Sequence, residues 1–214
     1  YSIYHAVIGG GTNNTITKER FNFALADNYN TLDGNLYPNF FIGGGRDNKI
    51  TAFYQYKTTI GSALISIAAG KNVSIIGGNN NHARYSTNGL IGVGDNNYLN
   101  QAANSFIGGG LGNIVTGANV SSIVGGSGNL IKSANYSAVL SGRGNKIFQN
   151  TVGRAIDFHV IAGGRDNEIT GYNNANANFY HFIANGVGNK IYSPNPIQSA
   201  VIINGYHNIV KSSY

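Results

Sequence analysis

The chain has no cysteine, no methionine and no tryptophan. Without thiols it can form neither disulfides nor thiolate metal centres, so packing and hydrogen bonding must hold it together. Prolines number only 3 and charged residues make up only 10% of the chain. Its 8 acids leave little material for acid–base chemistry, since glycoside cleavage needs two carboxylates facing one cleft. No apolar run is long enough to cross a bilayer, and no basic-then-apolar leader stands at the N-terminus. A chain that begins at Tyr1 reads as a fragment or processed product, with any export signal or anchor outside it, so no direct membrane insertion is expected of this part. The shortage of charge does not signal disorder, because 42% of the residues are apolar, with 14 Tyr and 10 Phe.

What the chain does have is 31 Gly and 33 Asn, a composition typical of repeats. The phrase Ile-x-Gly-Gly-x-x-Asn-x-Ile returns along its whole length. With the first Ile as anchor, the anchors are Ile8, Ala24, Ile42, Ile75, Ile91, Ile107, Ile123, Val139, Ile161, Ile183 and Ile202, plus a degenerate unit near Thr59 and Ile60. Between 75 and 139 the spacing is 16 throughout. Six residues after the anchor stands Asn: Asn14, Asn30, Asn48, Asn81, Asn97, Asn113, Asn129, Asn145, Asn167, Asn189 and Asn208. Three after it stands Gly, except for Asp27 in the Ala24 unit. Five after it, Gly, Asn and Asp dominate, the residues that tolerate positive φ, which places a tight turn there.

Each unit therefore reads as strand, turn, strand and loop. The anchor strand is apolar on both faces, with Val7, Phe23, Phe41, Leu90, Phe106, Val160, Phe182 and Val201 just before the anchors and Val124, Leu140 and Ile203 just after. The second strand alternates: Ile50, Leu99, Val115, Ile131, Ile147, Ile169 and Ile191 face in, while Lys49, Lys146, Glu168 and Lys190 face out. This predicts an all-β parallel solenoid, or β-roll, over residues 1–214 as a single domain. It has two short strands per coil and about twelve coils, is most regular from about 75 to 147, and carries longer loops toward both ends. At about 4.8 Å per coil the rod is about 55 Å long. The second strand covers one face of the anchor strand and nothing else in the repeat covers the other, so a partner copy is expected there; the pattern alone permits a dimer or a homotrimer. The recurrent Asn is read as a structural turn cap, an amide ladder from coil to coil, or both.

The units Ser122-Ile123-Val124-Gly125-Gly126-Ser127-Gly128-Asn129 and Ser105-Phe106-Ile107-Gly108-Gly109-Gly110-Leu111-Gly112-Asn113 resemble the head repeats of trimeric autotransporter adhesins. They are also similar to repeats of phage and large-virus tail fibres. The resemblance implies a left-handed β-roll assembled as a homotrimer, an extracellular place on a bacterial surface or virion fibre, and attachment to a host-surface protein or glycan. The alternatives are a purely structural shaft and a polysaccharide-cleaving tail spike. The irregular stretch from Thr51 to Val73 and the missing coiled-coil stalk depart from that family.

For binding, the candidates are loop residues that break the period: Tyr54, Tyr56, Lys57, Arg84, Tyr85, Tyr172, Asn174, Tyr180 and Tyr192. They mix aromatic, amide and basic groups that suit sugar faces and protein surfaces, although the same aromatics could simply cap their own loops. No catalytic residue and no cofactor is expected. A spike enzyme would have to draw on Glu19, Asp33 and Asp157, because the other acids stand at turns or face solvent. His159 and His181 stand two before an anchor in adjacent coils and should stack. Near a trimer axis they could take a metal or an anion, although such residues more often pair with each other or with backbone. The net charge of +6 is spread without a run of three basic residues, so nucleic acid is not an expected partner.

Overall fold

The computed structural model describes residues 5–10, 12–13, 15–18, 39–42, 49–52, 58–60, 65–68, 72–149, 157–171, 179–193 and 199–211. It is all-β, and each coil contributes one strand to each of two parallel sheets of eleven strands. The anchors stand in register from coil to coil: Ile75 beside Ile91, then Ile107, Ile123, Val139, Ile161, Ile183 and Ile202. Backbone hydrogen bonds run along the stack, as from Ile76 N to Ile91 O at 3.0 Å and from Tyr98 N to Asn113 O at 2.8 Å.

Among the described residues each sheet has eleven strands, and His5–Ile8 pairs directly with Asn39–Ile42. The glycine three after the anchor marks a close approach between the backbones of successive coils. A Cβ at Gly110 would lie 2.1 Å from the Gly126 carbonyl oxygen, and one at Gly126 would lie 2.2 Å from that of Gly142. The Thr58–Ile60 strand is a rung, with Ile65 standing where the next coil has Asn81.

Between the sheets lies a hydrophobic core. Ile91, Ile107, Ile123, Ile161 and Ile183 from the first sheet and Leu99, Val115, Ile131, Ile147 and Ile169 from the second are fully buried. Burying each such side chain stabilises by about 2 kcal/mol, so a single coil is marginal and the stack is needed.

The first corner matches the turn expected from sequence. Five after the anchor, φ is positive at Asn80, Asn96, Gly112, Gly128, Gly144, Asp166, Gly188 and His207. The buried Asn that follows does both jobs foreseen for it. Asn113 Nδ2 donates to Gly109 O at 2.8 Å within its own turn and to Gly126 O at 3.0 Å in the next coil, while its Oδ1 accepts from Asn129 N at 3.0 Å. The same backbone-to-Oδ1 link joins Asn97, Asn145, Asn167 and Asn189 to the coil before each. The ladder thus alternates side chain and backbone more than amide and amide. Asn48 lies outside the described residues.

A second corner carries devices the sequence does not advertise. Two positions per coil are left-handed there: Tyr85, Gln101, Gly117 and Ser133, then Asn88, Asn104, Val120 and Tyr136, with φ between 49° and 60°. Buried serines form their own ladder, Ser121 N donating to Ser105 Oγ and Ser137 N to Ser121 Oγ, both at 3.2 Å.

Candidate binding surface

Between described strands, every lengthened connection falls at this second corner. The first corner takes six residues from anchor to Asn in coils as irregular as those from Ile161 to Asn167 and from Ile183 to Asn189, and is one residue shorter after Ile60, where Ile65 stands at the place of Asn81. At the second corner, regular coils turn within residues 85–89, 101–105, 117–121 and 133–137. The coils ending at Gln149, Gly171 and Ser193 instead insert 150–156, 172–178 and 194–198 before the strands Asp157–Ile161, Phe179–Ile183 and Ser199–Ile202. Residues 19–38 and 53–57 interrupt the same corner nearer the N-terminus. Because the flanking strands are in register, the bases of all these insertions line one edge of the rod. Tyr54, Tyr56, Lys57, Tyr172 and Asn174 lie outside the described residues.

An aromatic column runs along that edge. Tyr136 and Phe158 meet with ring centroids 5.4 Å apart, and Phe158 stacks on Tyr180 at 5.3 Å with parallel planes. The three are 43%, 39% and 49% exposed. They continue a column that begins as amides, where Asn72 Nδ2 donates to Asn88 Oδ1 at 2.9 Å and Asn88 Nδ2 to Asn104 Oδ1 at 2.8 Å. Tyr180, expected in a loop, is therefore a strand residue at the foot of the 172–178 insertion. Tyr136 and Phe158 were missed because their spacing of 22 is set by insertions and not by the 16-residue period.

A second cluster sits on the outer face of the second sheet. The Arg84 guanidinium lies 5.7 Å from the centre of the exposed Tyr85 ring, and hydrogen bonding to Tyr98 raises its pKa further. His82 meets Tyr98 edge-on at 6.2 Å and its ring nitrogen lies 2.9 Å from Asn80 Oδ1. Burial, then the Arg84 charge, lowers the His82 pKa. Tyr192 is half-buried in the strand Lys190–Ser193, with Lys211 Nζ 5.8 Å from its ring centre. Arg84 and Tyr192 thus lie on the opposite sheet, and Tyr85 stands at the second corner three residues before Asn88 of the column.

His159 and His181 do stack, with centroids 5.0 Å apart and planes within 3°. They point into the coil and not toward an outer axis: their exposures are 0% and 2%. This corrects the idea that they could ring a symmetry axis, since residues two before an anchor share the anchor's inward face. They replace the serine ladder in two of the coils whose corner is lengthened, while Ala200 takes that place after 194–198. Burial pushes His159 down to about 3, helped by the charge of His181, with the Phe158 backbone opposing, and burial pushes His181 down to about 4. Both are neutral imidazoles at ordinary pH. Among the described residues no third His, Asp or Glu joins them in a group able to hold a metal ion.

The acids whose side chains are described all serve local structure. Asp95 accepts from Asn79 N at 3.1 Å, Asp166 lies 3.7 Å from Arg165, and Glu168 accepts from Thr170 at 2.9 Å and lies 3.9 Å from Lys190. Glu19 and Asp33 lie outside the described residues, and of Asp157 only the backbone position is described.

The outer face of the first sheet stays uncovered in the single chain. Ile76, Val93, Val124, Val201 and Ile203 are 50–67% exposed and Leu140 is 43% exposed. Comparison with known proteins found no family model, no curated protein and no solved structure that matches this chain.

Proposed function

We propose that the chain is a non-enzymatic extracellular fibre domain, of a bacterial surface or a virion fibre, that attaches to a protein or glycan on a host or cell surface. Three copies associate through the uncovered apolar face, with the left-handed wind of the adhesin heads the repeat resembles. The insertions along one edge then make the contacts, and repetition around the rod multiplies weak ones through avidity.

The observation that carries this reading is the placement of the insertions. A rod selected only as a spacer has no reason to lengthen one corner of so many coils and, between described strands, never the other. Loops on a rigid scaffold are the usual carriers of recognition, and here the residues that flank them carry an exposed aromatic column.

The test replaces 172–178 with the short corner of residues 117–121 and measures attachment to host cells, with circular dichroism as the check on folding. Attachment should disappear while the β-sheet signal persists. Unchanged attachment would make the rod a shaft. Light scattering on the wild type and Phe106→Asp tests the assembly: a mass of about three chains should fall to one in the variant.

A further inference from the structure

Charge that is scattered in the sequence is gathered by the fold. In the first sheet the outward residues that flank the anchors carry no charge in any described coil. The outer face of the second sheet differs. Its last five described strands are Leu130–Lys132, Lys146–Gln149, Glu168–Gly171, Lys190–Ser193 and Ile209–Lys211. Their outward positions hold Lys132, Lys146, Lys190 and Lys211 against the single acid Glu168. Arg143 and Arg165 stand side by side in adjacent coils at the first corner, where this sheet begins. All six cations are exposed. Among the described residues only Arg165 and Lys190 have an acid in ion-pair reach, Asp166 at 3.7 Å and Glu168 at 3.9 Å. Six cations against those two acids leave a net of +4 on this stretch. A face kept soluble by charge mixes both signs, and setting Arg143 beside Arg165 costs a repulsion that a bound anion would relieve.

We infer that this face binds a sulfated polysaccharide, laid along the rod with its anionic groups against these lysines and arginines. The inference goes beyond the attachment edge proposed above and does not depend on it, since the insertions stand at the second corner and this basic face starts at the first. The layout suits a straight polyanion. Lys146 and Lys190 stand two coils apart in one column, about 10 Å, and Lys132 and Lys211 stand four apart in another, about 19 Å. Neutralising a net of +4 over that length takes about one negative charge per 5 Å of ligand. A sugar chain with one carboxylate per disaccharide falls short of that density, and a sulfated one reaches it. Arginine can grip an oxyanion through two donors, while lysine serves as a point charge. Nucleic acid fits less well. Single strands are held by rings free to stack on bases, whereas Lys132 Nζ lies 5.3 Å from the centre of the Phe148 ring and Lys211 Nζ 5.8 Å from that of Tyr192. A duplex groove admits a helix or a two-stranded ribbon, and this face is the broad side of a sheet.

The test measures the affinity of the whole chain for immobilised heparin, with hyaluronan, duplex DNA and phosphatidylserine vesicles in parallel. Heparin should bind more tightly than the other three and weaken about tenfold or more between about 50 and about 200 mM salt. Lys146→Gln with Lys190→Gln should weaken heparin binding about tenfold. Gln101→Asp with Gly117→Asp makes an equal change in net charge at two left-handed second-corner positions, which accept Asp, and should alter it less than about twofold. Circular dichroism checks that both variants fold. The inference is overturned by absence of heparin binding, by a lysine variant that keeps full affinity, or by an equal loss in the second-corner variant. Binding of hyaluronan, DNA or vesicles as tight as that of heparin overturns it too. Replacing 172–178 with the short corner separates the two readings: heparin binding should survive whether or not host-cell attachment does, and its loss there would put the site on the edge instead.

Discussion

Acidification should loosen the coils that carry the 150–156 and 172–178 insertions before it loosens the rest. The stacked His159 and His181 are buried and neutral, with pKa values pushed to about 3 and about 4 from the usual 6.5. An opened coil returns both to about 6.5, so the opened form binds more protons and stability is lost as pH falls below that value. At pH 5 each imidazole contributes about 2 kcal/mol of loss, about 4 kcal/mol for the pair, and the loss is complete only near pH 3. Hydrogen exchange, corrected for its intrinsic pH dependence, would show the strands Asp157–Ile161 and Phe179–Ile183 opening about a thousandfold more at pH 5 than at pH 7. A control with His159→Leu and His181→Leu together should flatten that response, leaving the smaller contribution of His82, which is also lowered, in its own coil. If the control loses protection in parallel with the wild type, the buried pair is not the source and the reasoning fails.

Four further substitutions test the frame. Gly126→Ala should cost about 3 kcal/mol or more, because φ is +96° and the new Cβ meets the Gly142 carbonyl at 2.2 Å; Gly128→Asn, at φ +64° with nothing within 4 Å, should leave the urea midpoint nearly unchanged. Equal effects at the two sites would refute the distinction between close approach and turn. Asn113→Ala removes three hydrogen bonds and strands buried backbone groups, for about 2–4 kcal/mol of local loss read as faster exchange at Asn129 and its turn; an unchanged exchange rate would argue against the ladder. Val120→Asn should stabilise by about 1 kcal/mol in chemical denaturation, since Val120 sits at φ 54° in a column where Asn88 and Asn104 adopt the same conformation, and a destabilised variant would show that apolar contact there outweighs backbone strain.

The first corner was legible because its chemistry is repetitive. Left-handed turns select Gly, Asn or Asp, and the buried Asn has two backbone clients that no other side chain serves as well. The second corner was not, because its left-handed positions hold residues as different as Tyr85, Gln101, Gly117 and Ser133, with neighbouring coils supplying the constraint. On the binding side, Tyr180 was found for its chemistry and placed in the wrong kind of element. Its stacking partners Tyr136 and Phe158 were hidden by a period that insertions had stretched.

The direction of the backbone hydrogen bonds has a mechanical consequence. They lie along the rod, each coil held to the next by bonds such as Ile76 N to Ile91 O and Asn113 N to Asn97 Oδ1. A pull on the two ends therefore loads the coils in series, and the weakest opens alone, with no need for its neighbours to yield. One released coil of 16 residues stretches from about 5 Å to about 54 Å, roughly a tenfold extension. Under tension such a rod gives way in steps, spending work on one coil at a time, and lengthens long before it breaks.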